Sequence, residues 1–155
     1  MNNVFSAVID AVSVSAAQDL LTITAPASRA VKILRVEVGQ DTSETSEVLP
    51  IKFKRGIGNT AGSGGSAVTP ARLKPGSTAA SSTVTKNNTT AATAGSGSLT
   101  VTNRRSFNVV TGFVYVPMDA EAVVVGPSES FIINLPTAPG AALTMNCEVI
   151  FEEMP

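Results

Sequence analysis

Near the end of the chain every odd position is apolar: Leu143, Met145, Cys147, Val149 and Phe151. Thr144, Asn146, Glu148 and Glu152 stand between them, with Ile150 the exception. A period of two turns one side chain in and the next out, so this is a β-strand with one face on a core. The same alternation recurs along the chain. Val4, Val8, Val12 and Val14 are expected to share a face of a long first strand or extended arm. Gln18-Asp19 reads as a turn into Leu20–Thr24, and Pro26 stops the ladder there. In 30–40, Leu34, Val36 and Val38 are expected on one side, Arg35 and Glu37 on the other. Leu49, Ile51 and Phe53 alternate with Pro50, Lys52 and Lys54, and Pro50 suggests an edge or a bulge.

Further strands are expected at 107–110, 112–116 and 121–125, and around Phe131, Ile133 and Leu135. Met118 to Glu121 has room for a single turn, and no stretch has a helical period. About eight to ten short strands between turn signals predict an all-β, antiparallel β-sandwich in one domain over 1–155. Its long connections make it jelly-roll-like. Residues 1–8 are read as an extended N-terminal arm.

Between residues 56 and 103 the composition changes. Gly, Ser, Thr, Ala and Asn dominate, as in Gly62-Ser63-Gly64-Gly65-Ser66, and apolar residues are sparse. Composition alone describes a flexible linker. We read the segment instead as a long ordered insertion with short strands near 83–86 and 99–102, held by packing, in part against neighbouring chains.

Charged residues make up only 15% of the 155 residues, against roughly a quarter in an ordinary soluble domain. So weakly charged a surface fits a chain largely covered by other subunits. The net charge is −1, and the only adjacent basic pairs are Lys54-Arg55 and Arg104-Arg105. Nucleic acid is not an expected partner, because phosphate binding needs clustered Lys and Arg. No apolar run approaches the roughly 20 residues of a membrane helix, and no membrane partner is expected. The opening residues lack the charge and apolar run of a secretory signal, so the chain is expected to be made in a cytoplasm.

Catalytic chemistry has little to work with. The chain has no His and one Cys, so neither a Ser-His-Asp arrangement nor a zinc site can be built. Cys147 reads as a small buried hydrophobe. A glycosidase would need two facing carboxylates. Glu148, Glu152 and Glu153 read instead as an outward face or the terminus. Gly62–Gly65 lacks the Lys-Ser/Thr ending and following helix of a phosphate cradle. The expectation is no enzyme, no cofactor, no metal and no small-molecule substrate. Asn87-Asn88-Thr89-Thr90 reads as hydrogen-bonding side chains for its own loop or for a partner.

The pattern over nearly the whole chain resembles the decoration, or cement, proteins of tailed-bacteriophage heads and related small β-structured virion proteins. The residues that carry the resemblance are Asp19-Leu20, Ala25-Pro26, Gly39-Gln40, Arg55-Gly56, Thr69-Pro70 and Asn87-Asn88-Thr89-Thr90. Phe107-Asn108 with Gly112 and Tyr115, and the closing Phe151-Glu152-Glu153, complete it. The resemblance implies a structural virion protein on the outside of an icosahedral capsid, with the major capsid protein as partner. A homotrimer is expected, since sandwich domains pack well about a threefold axis. The expected contacts lie in loops 56–66 and 85–98 and in the arm 2–6, with Asn2, Asn3, Arg55, Asn59, Ser63, Lys86, Asn87, Asn88, Thr89 and Thr90 as the contact residues. Trimming 85–98 is expected to spare the fold. The competing reading is a tail-fibre or baseplate module for host-surface glycan, which needs an exposed aromatic patch; Phe113 and Tyr115 are the adjacent candidates.

Overall fold

A computed structural model describes residues 3–42 and 46–155. It contains twelve strands: β1 (Asn3–Val14), β2 (Gln18–Thr24), β3 (Ala30–Gln40), β4 (Val48–Ile57), β5 (Ser66–Val68), β6 (Ala71–Arg72), β7 (Thr83–Asn88), β8 (Ser98–Asn108), β9 (Phe113–Tyr115), β10 (Val124–Val125), β11 (Ser130–Leu135) and β12 (Leu143–Met154). A 3-10 turn at Asp119–Glu121 takes the place where one helical turn was expected. The predicted strand 121–125 is thereby cut to its last two residues.

All pairings between these strands are antiparallel, in two sheets. The first runs β10-β3-β12-β1-β6, with β9 also on β3; the second runs β5-β7-β2-β11-β4-β8. Successive strands β1 to β4 alternate between sheets. Strand β12 then returns between β1 and β3, and β11 between β2 and β4. That wiring makes the sandwich jelly-roll-like, as the sequence predicts.

The inward faces meet in one core. Leu143, Met145, Cys147, Val149 and Phe151 of β12 are buried, as are Leu49, Ile51 and Phe53 of β4. Two strands depart from the simple alternation. On β1, Phe5, Ala7 and Ile9 are buried while Val8 is 51% exposed. Ile9 pairs with Cys147 and Val12 with Met145, so Asp10 and Ala11 together oppose one residue of β12. This β-bulge, with Ala11 at φ 46°, shifts the phase by one residue and brings Val12 and Val14 inward. The four valines therefore do not share a face. On β3 a bulge leaves Leu34 between the partners of Phe151 and Ile150, so the inward set is Val31, Ile33, Val36 and Val38.

The Gly/Ser/Thr/Asn-rich segment is built into the sheets of its own chain. Strands β5 and β7 extend the second sheet beyond β2, and β6 pairs with β1 at the edge of the first. The chain thus crosses from one sheet to the other and back, closing one lateral side of the sandwich. The strand expected at 99–102 runs on without a break through 107–108 as β8, and Val109 and Val110, expected in a strand, lie in the turn that follows it.

Candidate partner-binding surface

The insertion is held by carboxylates reached from far along the chain. Asp19, expected in a turn, is the second residue of β2 and is fully buried. Its Oδ2 accepts the backbone N–H of Ala92 at 2.6 Å, and its Oδ1 accepts Asn134 Nδ2 at 2.8 Å. Burial pushes the Asp19 carboxyl above the usual carboxylate range, while these donors and the nearby Lys54 ammonium pull it back. Gly62 fits this junction because a Cβ there would lie 2.8 Å from the carbonyl oxygen of Thr90 and 3.0 Å from Asp19 Oδ2. Thr60 pairs with Thr93 and Ser63 with Thr90, so the two loops form one layer. That layer lies over the outer face of β2 and β11, and every residue of β11 is buried.

A second carboxylate fixes the other end. Glu153, read from the sequence as solvated, is buried. Its Oε1 accepts the N–H groups of Ser81 and Ser82 and the Ser82 hydroxyl at 2.7–2.8 Å, and Oε2 accepts Arg29 Nη1 at 3.2 Å. The inward phase of β12 runs on past Phe151 to Glu153, where loop N–H groups replace apolar neighbours.

A cleft of about 120 Å³ remains between the insertion and the second sheet, lined by Thr22, Thr24, Asn59, Ala92, Ser130 and Ile132, among others. It is well below the ~300 Å³ at which small-molecule sites begin. Among the described residues no cluster of His, Cys, Asp or Glu is placed to hold a metal ion.

The expected contact residues divide into two groups. Arg55 is engaged within the chain, its Nε and Nη2 donating to both Glu129 oxygens at 2.7 and 2.8 Å. Asn59 Oδ1 accepts the Ser130 hydroxyl at 3.0 Å. Asn87, at φ 55°, accepts the Gln18 amide, and buried Asn88 donates to Thr85 Oγ1. Ser63, Thr89 and Thr90 are exposed together at the outer end of the insertion, with Lys86 half-buried nearby. Asn3 begins β1 opposite Glu153, and Asn2 lies outside the described residues. Because Thr85–Asn88 belong to β7, which joins β5 to β2, trimming 85–98 would remove most of that interior strand and release Asp19.

Phe113 and Tyr115 turn their rings onto Phe53, at centroid distances of 6.0 and 5.1 Å, and do not form an exposed aromatic patch. The surface that the sequence reading missed is the opposite lateral side, where β8 and β9 end their sheets. Val101, Arg104 and Arg105 on β8 and Val114 on β9 are exposed there. The Arg pair was visible as a motif, but its place on a sheet edge is set by topology. Comparison of the chain with protein-family models, with curated proteins and with solved structures finds no match.

Proposed function

We propose that this chain is a non-enzymatic structural protein of a phage virion, bound to the outside of the assembled capsid as a decoration or cement protein. The observation that supports it best is the insertion pinned by Asp19 and Glu153 within its own chain. Segments of such composition are ordinarily mobile, and ordering them on binding costs affinity. Here the ordering is complete before any partner arrives. The exposed polar tip at Ser63, Thr89 and Thr90 is then a preformed surface, suited to repeated docking on a regular array.

Such a protein acts by mass action. It binds assembled major capsid protein and not the separated subunits, which stabilises the shell by RT ln(1 + [L]/Kd), or about 2.7 kcal/mol per site at a hundredfold excess over Kd. A homotrimer would engage several shell subunits at once and multiply the effect. Bridging neighbouring subunits would oppose the outward pressure of packaged DNA. The protein would be made in the bacterial cytoplasm and reside on the capsid exterior.

Quantitative mass spectrometry of purified virions tests the reading. A copy number that is a simple fraction of the major capsid protein count is expected. A handful of copies per particle would place the chain in the tail, and absence from virions would overturn a virion role altogether.

A further inference from the structure

The edge strands of this sandwich are unequal. Strands β5, β6, β9 and β10 have two or three residues each, whereas β8 has eleven and, among the described residues, is paired along one side only, by β4. Short edge strands prevent unwanted pairing, and a long open one offers a row of free N–H and C=O groups to another strand. The side chains on β8 narrow the choice of partner. Lys52 of β4 stands directly opposite Arg104 of β8, a like-charge cross-strand pair that is unfavourable by itself. Arg105 adjoins it, and the half-exposed Val101 lies on the same strand. Among the described residues no carboxylate is within ion-pair distance of Lys52, Arg104 or Arg105, which they share with Lys54, Arg72, Lys74 and Lys86; what sets the first three apart is that they stand together at one open edge.

We infer that β8 is a docking edge for an extended, carboxylate-bearing segment of a partner protein, which adds to the second sheet as a further antiparallel strand. Backbone hydrogen bonds to β8 would supply the affinity, and alternate side chains the selectivity. A carboxylate on the face that Lys52 shares with Arg104 would relieve the like-charge pair, and Arg105, opposite Ile51 on the other face, would meet the neighbouring position of the added strand. The same basic cluster disfavours pairing with an identical edge centred there. The inference does not depend on the capsid reading, since it concerns the chemistry of one edge, whatever partner carries the segment.

The test uses the intact protein and a short, end-blocked, fluorescein-labelled peptide alternating valine and glutamate, read by fluorescence anisotropy. Binding that weakens with added salt is expected. A valine–lysine peptide should bind about tenfold more weakly, the size of effect expected from two exposed ion pairs. A version N-methylated on alternate residues should not bind, and the β8 amides should gain hydrogen-exchange protection with the valine–glutamate peptide. Arg104→Glu with Arg105→Glu should reverse the peptide preference, and Arg104→Ala with Arg105→Ala should erase it. Equal affinity for both peptides, or no binding of the acidic one, would overturn the proposal and leave the arginines as guards against edge pairing. A dimer of the free protein that the arginine variants abolish would overturn it too, by assigning the edge to a second copy. Virion copy number is a separate measurement, so either proposal can fail alone.

Discussion

The carboxylate of Asp19 and the backbone N–H of Ala92 meet at 2.6 Å across 73 residues of chain. One is near the start of the sandwich, in β2; the other is in a loop whose composition carries almost no folding information. Their bond ties that loop to the second sheet, and Asn134 donates to the other oxygen of the same carboxylate.

Replacing Asp19 should therefore loosen the insertion before the core. Asp19→Ala leaves the Ala92 N–H and the Asn134 amide without their acceptor in a buried site, at about 1–3 kcal/mol each. Asp19→Asn keeps one acceptor and should cost about half as much. The pH dependence follows from the raised native pKa, which burial produces. The native state keeps its proton to higher pH than the unfolded chain, so this group favours folding most in acid, and that contribution is lost as pH rises through the native pKa. Urea unfolding should show the stability gap between wild type and Asp19→Asn widening as pH falls. A constant gap would mean that Asp19 titrates as it does in the unfolded chain.

Glu129 predicts the opposite slope. Its bidentate bond to Arg55, joined by the N–H of Gly126, holds the carboxyl below its ordinary value against the effect of partial burial. A depressed carboxylate contributes stability above the unfolded pKa and loses it as pH falls through the native one. The advantage of wild type over Glu129→Gln should therefore shrink in acid. At neutral pH it should be about 1 kcal/mol, since Arg55 is partly in solvent. Arg55→Lys should recover only part of the loss of Arg55→Ala, because an ammonium cannot reproduce the two parallel bonds.

The architecture was legible wherever a strand keeps its period of two. The inward residues of β4 and β12 were read from sequence and are buried. The reading of β1 failed at Ala11, since a bulge usually announces itself with a residue that tolerates φ > 0 and alanine gives no such sign. Glu153 and Asp19 were misplaced for a different reason. Each is satisfied by backbone N–H groups more than 70 residues away, and every residue type has such a group, so no local pattern marks the partner. Asn87 and Asn88 bond as their sequence pattern suggests, whereas Asn59, expected to contact a partner, accepts the Ser130 hydroxyl of its own chain. Only three-dimensional pairing distinguishes bonds within the chain from bonds offered outward.

Ala11 itself should respond to substitution in an unusual direction. At φ 46° its Cβ crowds the backbone, which costs L-residues roughly 1–2 kcal/mol. Ala11→Gly should raise stability by about 0.5–1 kcal/mol after the greater chain entropy of glycine is subtracted. Ala11→Val should lower it by more than 1 kcal/mol, roughly the extra strain of a β-branched residue at positive φ. Thermal unfolding of the two variants checks both signs. A destabilised glycine variant would show that Ala11 contributes more through packing than it costs in strain.

Cys147 should be silent to thiol reagents in the folded protein. It is buried on β12, and burial pushes its thiol far above the ordinary value, so almost no thiolate forms near neutrality. Labelling by an aromatic disulfide should proceed only through unfolding. Its rate should rise with urea in step with the unfolded fraction, and fast labelling without denaturant would show that β12 opens locally.

Glu153 offers the sharpest separation of local from global stability. It lies two residues from the end of the chain, yet it accepts three donors from Ser81 and Ser82 and one from Arg29. Removing Met154 and Pro155 should cost less than losing Glu153, because it takes only the last ladder position, Met154 opposite Ala30, and no side-chain bond to the insertion. Glu153→Ala should cost about 2–4 kcal/mol, since two backbone N–H groups and a guanidinium lose a buried acceptor together. Glu153→Gln retains an acceptor for the serines and should lose nearer 1 kcal/mol, mainly from the arginine. The segment released by Glu153→Ala carries exposed Arg72 in β6, the two-residue strand closing the edge of the first sheet. Trypsin should cut after Arg72 faster in Glu153→Ala than in wild type, and by a larger factor than the change in global unfolding explains. Cleavage that tracks global unfolding alone would mean that β6 and the loop after it are held chiefly by contacts other than this carboxylate.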